Sequence, residues 1–389
     1  MSQPATTVAK PLIVLALLLF LVGLHYQSFK STAGMDFEHY YVGAKMVAAG
    51  QGSQLHDANA QFQWQARILN GVSTPFNYPA PMALLYWPVT LSSLNGGYLI
   101  WSFMSTLMFV ASVLLLNRTF GFVRDPWFLV LICAAYLPVQ ATLATGQCDA
   151  FLLLSYSVSL VLLKEGKNGA SGFALSLALL KFHLVLPFAL VMLFRRQWRF
   201  LLGFASGGVA LLAVWLWISG PGLFTQYPRL VMGIKDLPRG RFEPALMANF
   251  RGVFDAITRH EAPLWLIAAV ALVGLAYVAN RWSDVETGFS AAITMMILTS
   301  YHGYVYDLIL LLIPLMVAMK AAKALRTPFY LVFGLLAMPI IPYLLVRTKM
   351  VWLLTIPVGV LCWLLISDRA SDGSRSMIEN FKNPKLTIA

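Results

Sequence analysis

Asp36 and Glu38 stand just past an apolar run, within the aromatic-rich segment Gly34-Met35-Asp36-Phe37-Glu38-His39-Tyr40-Tyr41. Asp36 can cap a helix beginning near Phe37, since aspartate is a preferred N-cap, or it can take a proton from a bound hydroxyl. Glu38, two residues on, faces away from Asp36 on a helix. It is a second candidate for the same proton, or a group that holds an acceptor. Further along, Lys181 interrupts the apolar stretch from Phe173 to Leu180, with His183 close behind. A cation at that depth either marks a functional site or snorkels to the interface from a helix end. His302 and Asp307 fall in a polar turn between two apolar runs, where Asp307 suits an orienting partner or a helix-entry residue. Asp36, His302 and Asp307 show no spacing that demands a metal ion, and none is expected.

These polar residues are set in a chain that is otherwise apolar. Hydrophobic types make up 59% of 389 positions and charged types 11%, with a mean hydropathy of +0.72. A globular domain carries about 25% charged residues. Long uncharged runs recur along the chain, each about the length needed to cross a ~30 Å hydrocarbon core. At that depth a run must be helical to satisfy its own backbone. The expected fold is all-α and polytopic, a single transmembrane unit over 1–389. The crossings, about twelve by this reading, fall near 11–29, 97–117, 127–145, 149–163, 169–181, 183–194, 199–218, 263–280, 286–301, 304–319, 327–346 and 350–367. The first is read as a retained helix, because its apolar stretch exceeds the core of a signal peptide. The fifth and sixth are short and meet at Lys181; one long kinked crossing is the alternative.

Short connections decide the orientation. Arg118, Arg124, Lys164, Lys167, Arg195, Arg196, Arg199, Arg281, Lys320, Lys323 and Arg326 fall on one side, with Lys10 and the basic tail over 368–389. The other side's short connections hold only Lys181, Arg347 and Lys349. Both termini are therefore expected in the cytoplasm, and the net charge of +12 is largely a topology signal rather than a nucleic-acid footprint. Two long loops, 30–96 and 219–262, then lie outside. The first is read as interfacial helices, and its apolar stretch up to Leu94 as interfacial or re-entrant, because Pro79, Pro81 and Pro88 argue against a regular crossing. The second carries Arg229, Lys235, Arg239, Arg241, Arg251 and Arg259. Long loops translocate with some charge regardless, but these cations also suit an anion at the outer surface, such as a lipid phosphate.

Asp36 with Tyr40-Tyr41, Gly43-Ala44-Lys45 and Gly50, then Tyr78-Pro79-Ala80-Pro81, resemble glycosyltransferase family 87. The likeness continues through Gly146-Gln147, Gly172 to Lys181, Asn249-Phe250-Arg251-Gly252 and Tyr301-His302 to Tyr306-Asp307, and departs from the family pattern at Ala80 and His183. The resemblance implies a GT-C-type enzyme of the cell membrane, active at the external face. Such an enzyme moves a sugar, mannose first among the options, from a polyprenyl-phosphate donor to a glycolipid or glycan hydroxyl. Asp36 would be the general base of an inverting transfer. Glu38, Tyr40, Tyr78, Gln147, Lys181, Asn249, Arg251, His302 and Asp307 would hold the substrates, with Lys181 and His302 near the donor phosphate. No cofactor is implied beyond the lipid-linked co-substrate, and the partners would be donor, acceptor and membrane lipid. No phosphate-cradling glycine loop is visible.

A transporter would also show many helices, broken segments and a few intramembrane charges. Against it, the two halves show no corresponding interrupted pair, and the polar residues collect at one face instead of the midplane. A polymerase or ligase using a diphosphate-linked glycan is a third class, kept open by the basic 219–262 loop.

Overall fold

A computed structural model describes residues 35–69, 71, 73–238, 242–321, 336 and 340–367. The expected first crossing and basic tail lie outside these residues, as does most of the crossing expected at 327–346. Among the described residues every regular element is helical: α1 (Met35–Ala48), α2 (Ala58–Ile68), α3 (Pro81–Leu85), α4 (Leu94–Phe120), α5 (Pro126–Ala134), α6 (Leu137–Thr145), α7 (Asp149–Lys164), α8 (Asn168–Ser176), α9 (Phe182–Phe194), α10 (Trp198–Ser219), α11 (Leu223–Gly233), α12 (Phe250–Thr258), α13 (Leu264–Arg281), α14 (Val285–Thr299), α15 (Leu312–Ala321), α16 (Ile340–Arg347) and α17 (Thr355–Ser367). Short 3-10 turns join several of them, notably Leu177–Lys181 and Val305–Leu311. The segment between Pro79 and Leu94 holds only α3 and a 3-10 turn over Trp87–Leu91, as its prolines require.

Four helical runs are long and apolar enough to cross a bilayer: α4, the continuous run Asn168–Phe194, α10 and α13. The pair α5 and α6, bent by 69°, makes a fifth if it forms one span. That is fewer than the sequence suggests; Val285–Thr299 and Val351–Ser367 are apolar but shorter. The run Asn168–Phe194 is itself folded back. Lys181 has φ −121° and ψ 69°, which is not helical. Before it, α8 runs parallel to α10: a Cβ on Gly203 would fall 1.9 Å from the Gly169 carbonyl, and one on Gly207 would fall 1.9 Å from the Ser176 hydroxyl. Small residues allow that close backbone contact, as between membrane helices generally. After Lys181, α9 returns. The Arg195 guanidinium donates to Ala279 and Trp282 carbonyls at the far end of α13. Lys181 therefore marks a turn between two short antiparallel legs.

The same contacts give the bundle two ends. At one, Lys164 and Lys320 both pair with Glu286, where α14 begins, and the Lys164 ammonium lies 5.7 Å from the Phe120 ring at the foot of α4. Arg195 and Arg281 belong to that end too. At the other, the starts of α4 and α7, the Lys181 turn and the loop Ser300–Tyr304 converge on α1. Trp127 and Trp198, at the starts of α5 and α10, and Trp217 and Trp265, at the end of α10 and the start of α13, stand exposed, as do Trp87 and Trp363. That distribution matches the aromatic belts of a membrane-embedded bundle.

Candidate active site

The site is built on one face of α1. Asp36, His39, Tyr40 and Gly43 follow the i, i+3, i+4, i+7 spacing that shares a helix face, and this face meets Gln147, just before α7, and the Phe76–Tyr78 segment. The Gln147 side-chain amide donates from Nε2 to Asp36 Oδ2 at 2.8 Å, and its Oε1 accepts from the Tyr40 hydroxyl at 2.7 Å. The Trp101 indole donates to the Gln147 carbonyl at 3.3 Å. Tyr40 stacks on Tyr86 with centroids 4.4 Å apart, and Tyr86 on Trp101 at 3.7 Å. Pairs of this kind add roughly 0.5–1.5 kcal/mol each beyond burial. Gly146, which precedes Gln147, has φ +68°, and a Cβ there would meet Phe37 at 2.6 Å. Only glycine lets the chain enter α7 so close to α1.

Asp36 is the second residue of α1, and its carboxylate reaches across to Gln147. The capping role open from sequence is thus replaced by a tertiary contact. Burial raises its pKa above the ordinary carboxylate value; the Gln147 hydrogen bond and the Lys181 charge pull back, while Asp149 pushes the same way as burial. The result is a carboxylate more basic than usual, as suits proton abstraction. Glu38 is half-buried elsewhere on the helix. His39 is buried with neither ring nitrogen hydrogen-bonded; burial, aided by Lys181, lowers its pKa to about 3, so it is neutral. The Tyr78 ring lies parallel to it at 5.7 Å and 5.0 Å from Tyr40.

Lys181 departs from its expected role. Its ammonium is neither bare nor snorkelling. It is buried and donates to Asp149 Oδ2 at 2.8 Å, Asp149 Oδ1 at 3.0 Å and Asp307 Oδ1 at 3.0 Å, with the Tyr306 ring 4.7 Å away. Two carboxylates already surround one cation, so a phosphate brought to Lys181 would meet their repulsion. Asp307 Oδ2 accepts from the Tyr304 amide at 2.8 Å and closes a capping box on the 3-10 turn that follows. The cluster therefore fixes the loop that carries His302. Asp149 was not anticipated. Its signal was present all the same: a carboxylate at an apolar helix start is a ready partner for an intramembrane lysine.

Arg251 is the contrasting cation. It is 2% exposed, lies 4.1 Å from the Tyr301 ring centre and 5.8 Å from that of Phe242, and donates from Nη1 to the Tyr301 carbonyl at 3.4 Å. Its Nε has no partner, and among the described residues it has no ion pair. Asn249, expected against substrate, is instead a stitch: Oδ1 caps α12 at Gly252 and Nδ2 donates to the Ser300 carbonyl. Together with Ala248 N donating to Gly303 O, it holds Arg251 against the His302 loop. The His302 ring lies 4.2 Å from Phe242 and 5.5 Å from His183, with Nδ1 unpartnered. Burial, then His183, Arg251 and Lys181, drive its pKa well below the usual value. It is a neutral hydrogen-bonding group. Tyr304 links the halves: its hydroxyl accepts from the Glu243 amide at 3.2 Å, and its own amide donates to Asp307 Oδ2.

The structure thus gathers Asp36, Tyr40, Tyr78, Gln147, Lys181, Arg251, His302 and Asp307 at one end of the bundle. Among the described residues no group of His, Cys, Asp or Glu side chains could hold a metal ion. A family model, glycosyltransferase family 87, matches residues 76–314, which takes in the aromatic wall, Gln147, the Lys181 cluster, Arg251 and His302 but starts after Asp36. No curated protein and no solved structure matches the chain.

Proposed function

Because this chain belongs to glycosyltransferase family 87, we propose that it transfers a hexose, mannose first among the options, from a polyprenyl-phosphate donor to a hydroxyl of a glycolipid or glycan. The observation that carries the reading is the presence of two unlike groups at one end of the bundle, one partly buried and one buried. Asp36 is a carboxylate of raised basicity held by Gln147. Arg251 is a buried guanidinium without a carboxylate partner among the described residues, beside a neutral His302.

Asp36 takes the proton of the acceptor hydroxyl as its oxygen attacks the anomeric carbon. The bond from that carbon to the phosphate oxygen breaks, and the polyprenyl phosphate leaves with its electron pair. Arg251 supplies charge to the departing phosphate and His302 a neutral N–H donor, the kind of preorganised stabilisation that lowers such barriers. Attack opposite the leaving group inverts the anomeric centre. His39, Tyr40 and Tyr78 offer rings and hydrogen-bonding atoms to the sugar between these two poles. The reaction as written requires no metal.

The reading includes a membrane with about twelve crossings, both termini in the cytoplasm and the Asp36 end outside. Its support is the basic Lys164 end, which the positive-inside rule assigns to the cytoplasm. The test is purified full-length protein given a radiolabelled polyprenyl-phosphate mannose and a membrane-lipid extract. Label should move to an organic-soluble or glycan product. No transfer from any polyprenyl-phosphate sugar would refute the donor class.

A further inference from the structure

A second polar site lies away from Asp36, beneath α11. That helix follows α10 at the Asp36 end and turns Leu223 and Leu230 inward, while Phe224 and Met232 are 60% and 71% exposed. Large apolar side chains pointing outward at the membrane end of a bundle make α11 an interfacial helix. Between it and the corner that leads into α2 is a cavity of about 300 Å³, lined by His56, Asp57, Gln226, Arg229 and Leu230.

The protonation of His56 follows from its partner. The Trp215 indole nitrogen lies 3.1 Å from His56 Nε2, and an indole nitrogen only donates. Nε2 is therefore the acceptor, and the neutral ring carries its proton on Nδ1. Burial lowers the pKa of His56 to about 4, so the ring is neutral at pH 7, and among the described residues Nδ1 has no partner. The ring is held between Tyr227 at 5.0 Å and Phe76 at 6.4 Å. Arg229 has no ion pair among the described residues, and the Gln226 amide adds further N–H groups. Asp57 is the opposing charge, but its Oδ1 already accepts from Asn59 and Ala60 amides as the cap of α2. The balance is one cation, one carboxylate committed to its helix cap, and several unfilled donors; the donors and the cation suit an anion with several oxygens. Phe76 also lies 6.4 Å from Tyr40, so an aromatic layer divides this cavity from the Asp36 site.

We propose that the cavity binds the phosphate of a lipid headgroup, with Arg229 as its cation and His56 Nδ1–H and the Gln226 amide as donors. The interfacial α11 favours a phospholipid over a soluble ion, and the site is separate from sugar transfer.

Calorimetric titration of the purified full-length chain in neutral detergent tests this, with dihexanoyl phosphatidylglycerol, dihexanoyl glycerol and inorganic phosphate as ligands. Phosphatidylglycerol should bind and dihexanoyl glycerol should not. Arg229→Gln, at an exposed position, should weaken binding roughly tenfold or more, the usual scale for a lost charge-assisted contact. Arg229→Lys should keep most of it. His56→Phe, which preserves the ring packing, should also weaken it. If inorganic phosphate binds with the same dependence on Arg229, the phosphate site stands and its natural ligand is a soluble ion. If phosphatidylglycerol binds no better than dihexanoyl glycerol, or Arg229→Gln binds as the parent does, the proposal is wrong.

Discussion

Gln147 donates to Asp36 at 2.8 Å across 111 residues of sequence, and that one amide couples the start of α1 to the entry of α7. The carboxylate is held where the aromatic wall, the Lys181 cluster and the His302 loop converge. Its basicity is set by burial against this hydrogen bond.

Removing the bond should therefore shift a pH profile. Gln147→Leu takes away a contact that favours the charged form of Asp36, so its pKa rises. Activity requires the ionised carboxylate, and the acid limb of turnover should move to higher pH, with a loss that narrows as pH increases. A Gln147→Leu profile superimposable on the parent's would detach Gln147 from the chemistry.

Arg251→Gln removes a buried cation that has no carboxylate partner among the described residues. A charge-assisted contact to an anion is worth about 1.5–3 kcal/mol, so donor use should fall roughly tenfold to more than a hundredfold, with Arg251→Lys intermediate. Donor titrations on protein of normal thermal stability provide the check; unchanged kcat/KM for the donor would move the phosphate elsewhere.

Lys181 is expected to behave as a positioning residue. Lys181→Met leaves Asp149 and Asp307 buried together without their cation, a change that costs about 3–5 kcal/mol. Unfolding temperature and yield should drop. Asp149→Asn added to Lys181→Met should recover part of both by removing one carboxylate. A Lys181→Met protein of normal stability that fails only to bind donor would restore the direct phosphate contact expected from sequence.

Orientation can be read by thiol labelling, since Cys133, Cys148 and Cys362 are all buried. Thr225→Cys, exposed on α11, should react with an impermeant reagent in intact cells. Glu165→Cys, exposed at the Lys164 end, should react only after permeabilisation. The reverse pattern would place Asp36 in the cytoplasm.

Much of this was legible in the chain. The apolar runs gave the helices; the cap that Asp57 supplies to α2, with Oδ1 accepting two amides, is a finding of the structure. Lys181 stood out as a cation among leucines, and its place at a turn between short legs matches the break read there. Its partners were harder to see, because Asp149 is 32 residues away and Asp307 126 residues away, and local pattern carries no information about which buried charges meet. Asn249 hides its structural part for a related reason. It caps α12 and bonds the Ser300 loop, and a cap bound to a distant loop looks, in sequence, like any polar residue before an arginine. His39 passed unnoticed between Glu38 and Tyr40 because nothing in its type distinguishes a buried imidazole from an exposed one.

Asp36 also carries a stability prediction of definite sign. Its folded pKa is raised above the unfolded value, so its contribution is favourable while the group is protonated and is lost as pH rises through the folded pKa. At neutral pH the buried carboxylate opposes folding. Asp36→Asn should leave the unfolding temperature unchanged or slightly higher at pH 7, with the difference shrinking in acid. A marked loss of stability would make Asp36 a structural residue.

The most direct test of the account is the turnover of purified Asp36→Asn protein with a radiolabelled polyprenyl-phosphate sugar and excess acceptor. General-base catalysis contributes about 10²–10⁴-fold, so turnover should fall at least a hundredfold while donor still binds, and Asp36→Glu should recover little, since a misplacement of about 1 Å can cost ~10²-fold. Transfer by Asp36→Asn within tenfold of the parent rate would contradict the central claim that this carboxylate takes the acceptor proton.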